Sequence, residues 1–81
     1  MNHILFLNEW EGLGFMLKRK LEKEELSIDF LNSREHLKKF KKHNIKSTPV
    51  LLILDKGEET DRLFSVEEIV EYLKNVSNIE T

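Results

Sequence analysis

The sequence predicts an α/β fold in which a four-stranded mixed sheet carries helices on both faces. Three observations support this. Two short, continuous apolar runs, Ile4–Leu7 and Val50–Leu54, have the length and composition of strands buried on both sides. Stretches after Leu13 and after Ser65 repeat apolar residues every three to four positions, the spacing of amphipathic helices. The order strand, helix, strand within about thirty residues implies a βαβ unit with parallel strands. A chain of 81 residues folds around one core, so residues 1–81 form a single domain.

In chain order, Ile4–Leu7 is a central strand that stops at Asn8 and the nearby Gly12 and Gly14. Leu13, Met16, Leu17 and Leu21 then mark one face of a first helix, with Lys18, Arg19, Lys20, Glu22 and Lys23 on the other side. Leu26, Ile28 and Phe30 alternate with Ser27, Asp29 and Leu31, the period of a second, more exposed strand. Asn32 and Glu35 have the spacing of a capping pair, and Leu37 and Phe40 are the apolar positions of a second helix ending near His43. Pro49 interrupts the pattern, because proline lacks an N–H and restricts the residue before it to extended geometry. Val50–Leu54 is the second buried strand. Asp55-Lys56-Gly57-Glu58 supplies the turn of a hairpin whose return strand is Thr60–Phe64, placed at the sheet edge. Ser65 and Glu68 form a capping box for a last helix with Ile69, Tyr72, Leu73 and Val76 on one face, and Asn75–Thr81 is expected to be a fraying tail.

Composition removes several function classes. Hydrophobic residues are 40% of the chain and charged residues 35%, too apolar for a wholly disordered chain and too charged for a membrane span. Nothing approaches about 18 consecutive apolar residues. No basic, apolar and small-residue succession of a secretory signal opens the chain, which reads as an intracellular, cytoplasmic protein. Cysteine is absent, which excludes disulfides, thiolate zinc sites, cysteine nucleophiles and dithiol redox chemistry. The net charge of −2 is unevenly spread: residues 33–46 carry six Lys/Arg against one acidic residue, while residues 47–81 carry three against eight.

The element order, together with Ile45-Lys46-Ser47-Thr48-Pro49-Val50-Leu51-Leu52-Ile53-Leu54-Asp55-Lys56-Gly57, resembles the C-terminal half of thioredoxin and glutaredoxin domains. By topology and its short first half, the chain is similar to glutaredoxins more than to the longer thioredoxins. The resemblance implies a thioredoxin-like fold, βαβ-α-ββα, with Pro49 in the cis form and packed against the loop before the first helix. The family's enzymes carry C-x-x-C or C-x-x-S in that loop. Here the loop reads Asn8-Glu9-Trp10-Glu11-Gly12-Leu13-Gly14, and the two cysteine positions fall on Trp10 and Leu13 or on Glu11 and Gly14. The resemblance therefore implies the fold and its groove without thiol chemistry.

Candidate sites follow from these residues. A redox-inactive protein-binding module, adaptor or inhibitor, would use Trp10, Glu11, Leu13, Thr48, Pro49 and Ser65, with tryptophan as an aromatic anchor and the chain ahead of Pro49 as a pairing edge for an extended peptide. Packing of Trp10 over the first helix is its structural alternative. The second reading is a basic face, Lys38, Lys39, Lys41 and Lys42 with Lys46, that binds nucleic acid or an acidic protein surface; a solvated helix face is the plainer account of such a run. A third is a glutathione-dependent or hydrolytic enzyme, for which the chain shows no nucleophile, and a fourth is a homodimer closing over the groove. Gly12 and Gly14 lack the spacing of a phosphate loop and read as turn residues. Glu9 and Glu11 read as solvated loop charge. His3, His36 and His43 lack metal-ligand spacing, so neither metal nor cofactor is expected, and no serine stands in a nucleophile-elbow motif.

Overall fold

The computed structural model describes the backbone over residues 2–80 and side chains over residues 2–76. Seven elements follow one another: β1 (Asn2–Phe6), α1 (Gly12–Lys23), β2 (Phe30–Leu31), α2 (Leu37–Lys42), β3 (Val50–Asp55), β4 (Glu58–Leu63) and α3 (Val66–Glu80). The strands form one sheet in the order β2-β1-β3-β4. β1 runs parallel to β2 and antiparallel to β3, which is antiparallel to β4. The sheet is therefore mixed, with β1 and β3 at its centre.

Alternation along the two central strands divides the core into two layers. Leu5 and Leu7 from the first strand and its exit, with Leu51, pack against Leu17 and Leu21 of α1 and Val66, Ile69 and Leu73 of α3. Phe6 and Leu52 point to the opposite face and meet Phe40 of α2. The Phe6 and Phe40 rings are 5.0 Å apart and nearly perpendicular, the edge-to-face arrangement aromatic pairs favour. Val50, the cross-strand partner of Phe6, is buried on the same face, and the partly buried Ile4, Leu31, Ile45 and Leu54 pack around the layer. A six-residue helix is too short to be stable by itself, so α2 depends on tertiary contacts, of which Phe40 is the buried one.

At the hairpin, Lys56 and Gly57 have φ values of 53° and 83°. Positive φ at both central residues is the signature of the turn that matches strand twist in two-residue hairpins. Ser65 Oγ accepts from the Glu68 backbone N–H at 3.1 Å and donates to the Glu68 carboxylate at 3.1 Å, so Ser65 caps α3 as the spacing requires, while the carboxylate takes the hydroxyl in place of the Ser65 main-chain N–H that a full capping box would use.

Four sequence expectations need correction. The second strand is confined to Phe30–Leu31, because only Leu5 and Phe6 of β1 pair with it. Leu26, Ile28 and Phe30 do share a face, packed against the larger core, so the period-2 pattern reported burial where the ladder was missing. On α1 the buried stripe is Gly14, Leu17 and Leu21; Leu13 and Met16 are 55% and 48% exposed. Asn32 Oδ1 accepts from the Glu35 N–H at 2.9 Å, but this closes a turn ahead of α2, whose N-cap is His36. The last helix continues to Glu80 in place of a tail from Asn75, while Thr81 lies outside the described residues.

Candidate functional site

The loop between β1 and α1, the segment from Ile45 to Pro49 and one side of α2 meet at one end of the sheet. Asn8 anchors the junction. It is the buried polar residue of the described chain, at 7% exposure, and its Oδ1 accepts from the Ser33 N–H at 2.8 Å while its carbonyl accepts from the Glu11 N–H at 3.1 Å. Burial of an amide side chain is tolerable when its polar atoms are bonded. Helix α1 begins hard against this residue: a Cβ on Gly14 would stand 2.0 Å from the Asn8 carbonyl oxygen. Glycine at position 14 is thus set by close backbone approach.

Glu11 is the N-cap residue of α1, yet its side chain makes no capping bond. Its carboxylate instead accepts a hydrogen bond from the Thr48 hydroxyl, joining the first loop to the residue before Pro49. The Thr48–Pro49 peptide bond is cis, and Pro49 is buried. Beside this contact lies an open cleft of about 260 Å³. Leu37, Phe40 and Ile45 supply its apolar surface, and Lys41, Lys46 and Glu11 its charge. Main-chain groups of Lys46, Ser47 and Thr48 make no backbone hydrogen bond among the described residues.

The proposed site residues are distributed around this cleft unequally. Glu11 and Thr48 line it and touch each other. Pro49 lies beneath the surface. Trp10 is 46% exposed and its ring carries the Arg34 guanidinium at 4.0 Å, a cation–π contact. Leu13 projects from the first turn of α1 and lines no part of the cleft. Ser65 stands at the start of α3 with its hydroxyl bonded to the Glu68 main-chain N–H and carboxylate. Of the basic run, Lys41 lines the cleft, whereas Lys38, Lys39 and Lys42 are exposed elsewhere on α2. Asn8, Ser33, Leu37, Ile45 and Ser47 were missed by sequence reasoning as cleft residues. Leu37 gave a usable signal, an apolar residue on a helix too short to bury both it and Phe40.

Arg62 fixes the far end of α2. Its Nη2 donates to the His43 carbonyl, while its Nε donates to Glu59 at 2.5 Å. A cation at the C-terminal carbonyls of a helix is favourably placed, and the same bond holds the Glu59 carboxyl below its ordinary pKa. The His43 ring tilts against Phe6, with centroids 5.9 Å apart. Burial, followed by the nearby Lys42 and Arg62 charges, lowers its pKa below the usual 6.5, and Lys39 acts in the same direction against Glu59. A lowered native pKa means the unfolded chain takes up the proton first, so stability falls as pH drops below about 6.5. His43→Gln should flatten that part of the pH–stability curve measured by urea unfolding; an unchanged slope would place the proton elsewhere.

No protein-family profile matches the chain, and no curated protein matches it in sequence. Solved structures do. Thioredoxin 1 from Thermosipho africanus superposes with a TM-score of 0.66 at 20% identity, over 99% of this chain and 98% of its own. The chain has a thioredoxin-like fold. Thioredoxin from Plasmodium falciparum gives 0.68 at 17% identity, covering 91% of this chain and 78% of that one. Thioredoxin from Fasciola hepatica gives 0.70 at 16%, covering 90% and 77%. A short first half therefore does not by itself point to glutaredoxin, since a thioredoxin is spanned almost end to end. This thioredoxin-like chain lacks cysteine and so offers no thiol for disulfide exchange. Among the described residues, no helix is long and apolar enough to cross a membrane, and no cluster of three His, Asp or Glu side chains is arranged to hold a metal ion.

Proposed function

We propose that the protein is a redox-inactive binding module, an adaptor or inhibitor, that takes an extended segment of another protein into the cleft beside Thr48. The observation that carries this reading is the conjunction at one site of main-chain groups at Lys46–Thr48 with no backbone partner among the described residues and an apolar surface from Leu37, Phe40 and Ile45. Backbone groups of this kind pair with an extended chain as a strand would, and neighbouring pockets read its side chains. Glu11, bonded to Thr48, holds the two walls together. Trp10 and Leu13 would extend the surface along the start of α1. The absence of cysteine supports a role in binding over thiol transfer.

Selection of binders from a displayed library of unstructured peptides, followed by affinity measurement on variants, tests the reading. Leu37 is 52% exposed, so Leu37→Ala should leave the fold intact and weaken the selected peptides about tenfold, the loss expected when a half-exposed leucine becomes fully buried on binding. Trp10→Ala and Leu13→Ala measure how far the surface extends beyond the cleft. Unchanged affinity in all three variants would contradict the assignment.

A further inference from the structure

The cleft carries positive charge without internal compensation. Lys41 and Lys46 stand in its lining, opposed by the single carboxylate of Glu11, which is already engaged with the Thr48 hydroxyl. Neither lysine makes an ion pair among the described residues; the ion pairs found there belong to Lys18, Arg62 and Lys74. Lys38, Lys39 and Lys42 add exposed charge on the same short helix. The groove and the basic face, separate in the sequence, are thus continuous in space through Lys41.

We infer that the occupant of the cleft is an acidic extended protein segment: aspartate or glutamate side chains meeting Lys41 and Lys46, with an apolar residue between them resting on Leu37, Phe40 and Ile45. This rests on the reading of the cleft as a peptide site and specifies the partner's chemistry. Complementary charge across an interface raises the rate of encounter and rejects segments of like charge. A nucleic acid fits less well. Single strands are held by open aromatic faces as well as by cations, but Phe40 is 6% exposed and the Trp10 ring is occupied by Arg34.

The test compares three labelled probes at low salt and at about 0.15 M salt: a short peptide alternating glutamate with leucine, its counterpart with glutamine for every glutamate, and a single-stranded oligothymidylate of equal charge. Backbone amide shifts in the ¹⁵N spectrum locate each binding site. The acidic peptide should bind about tenfold more tightly than the glutamine peptide at low salt and lose most of that advantage as salt is raised. The double variant K41Q/K46Q should remove the difference between the two peptides by weakening the acidic one. Equal binding of both peptides at the cleft would overturn the acidic preference and leave the peptide site standing. Tighter binding of the oligonucleotide at Lys41 and Lys46 would also overturn it, in favour of nucleic acid. Absence of saturable binding by either peptide up to about 1 mM, or shifts confined to another face, would overturn the peptide site as well.

Discussion

Phe6→Ala is expected to cost about 3–5 kcal/mol, the usual range for truncating a buried phenylalanine. Phe6 is fully buried and packs with Phe40 and Leu52 in the smaller of the two core layers. A layer this small cannot refill the vacated volume by sliding neighbours inward, which places the expected loss toward the upper end. Total stability for a domain of this length is about 4–12 kcal/mol, so the variant should unfold tens of degrees below the parent. The damage should also be directional. Phe40 leans on Phe6 and forms part of the cleft surface, so α2 amides should lose hydrogen-exchange protection before those of α1 and α3. Urea unfolding with residue-resolved exchange reads both quantities. A loss under about 1.5 kcal/mol, or uniform deprotection, would show that α2 does not depend on this ring pair.

Gly14→Ala provides the second large effect, and its sign is the informative part. Inside a helix, alanine in place of glycine ordinarily gains close to 1 kcal/mol. Here the new Cβ would lie 2.0 Å from the Asn8 carbonyl oxygen and 2.9 Å from its carbon. Main chain cannot swing aside as a flexible side chain does, so α1 or the loop must move, with an expected net loss of about 3 kcal/mol. The Asn8 carbonyl also accepts the Glu11 N–H, so the displacement reaches the cleft wall. Thermal unfolding with amide shifts at Glu11 and Thr48 measures both consequences. A stabilised variant would contradict the close approach of helix and loop.

Gly14 illustrates why part of the site was hidden in the sequence. A glycine between a strand and a helix reads as a turn residue, yet what requires it is a carbonyl six positions earlier, a contact no local pattern encodes. The buried runs Ile4–Leu7 and Val50–Leu54 were legible because strands covered on both faces leave a continuous apolar signature. The Ser65 cap of α3 was legible because an N-cap bond joins residues three apart. Leu26–Leu31 was half legible: alternation reports which face a side chain takes, while a strand also needs ladder partners, and only Phe30 and Leu31 of this stretch pair with β1. For the cleft, Thr48 and Glu11 emerged through the resemblance to a known fold. Lys41 and Lys46 were visible as charge, but their place in the same cleft depends on how α2 crosses the sheet. That crossing is set by Phe40 on Phe6 and by Arg62 on the His43 carbonyl, both contacts between residues distant in sequence.

The proposed role depends on an extended chain pairing with the main chain just ahead of Pro49. The most direct measurement is a nuclear Overhauser and amide-exchange comparison of the free protein with its complex with a selected peptide, read at Ser47 and Thr48. Slowed exchange at these amides, with cross-peaks from the peptide backbone to them and from a peptide side chain to Leu37, is the expected result. Unchanged exchange there while the peptide is bound would mean that the segment before Pro49 is not a pairing edge.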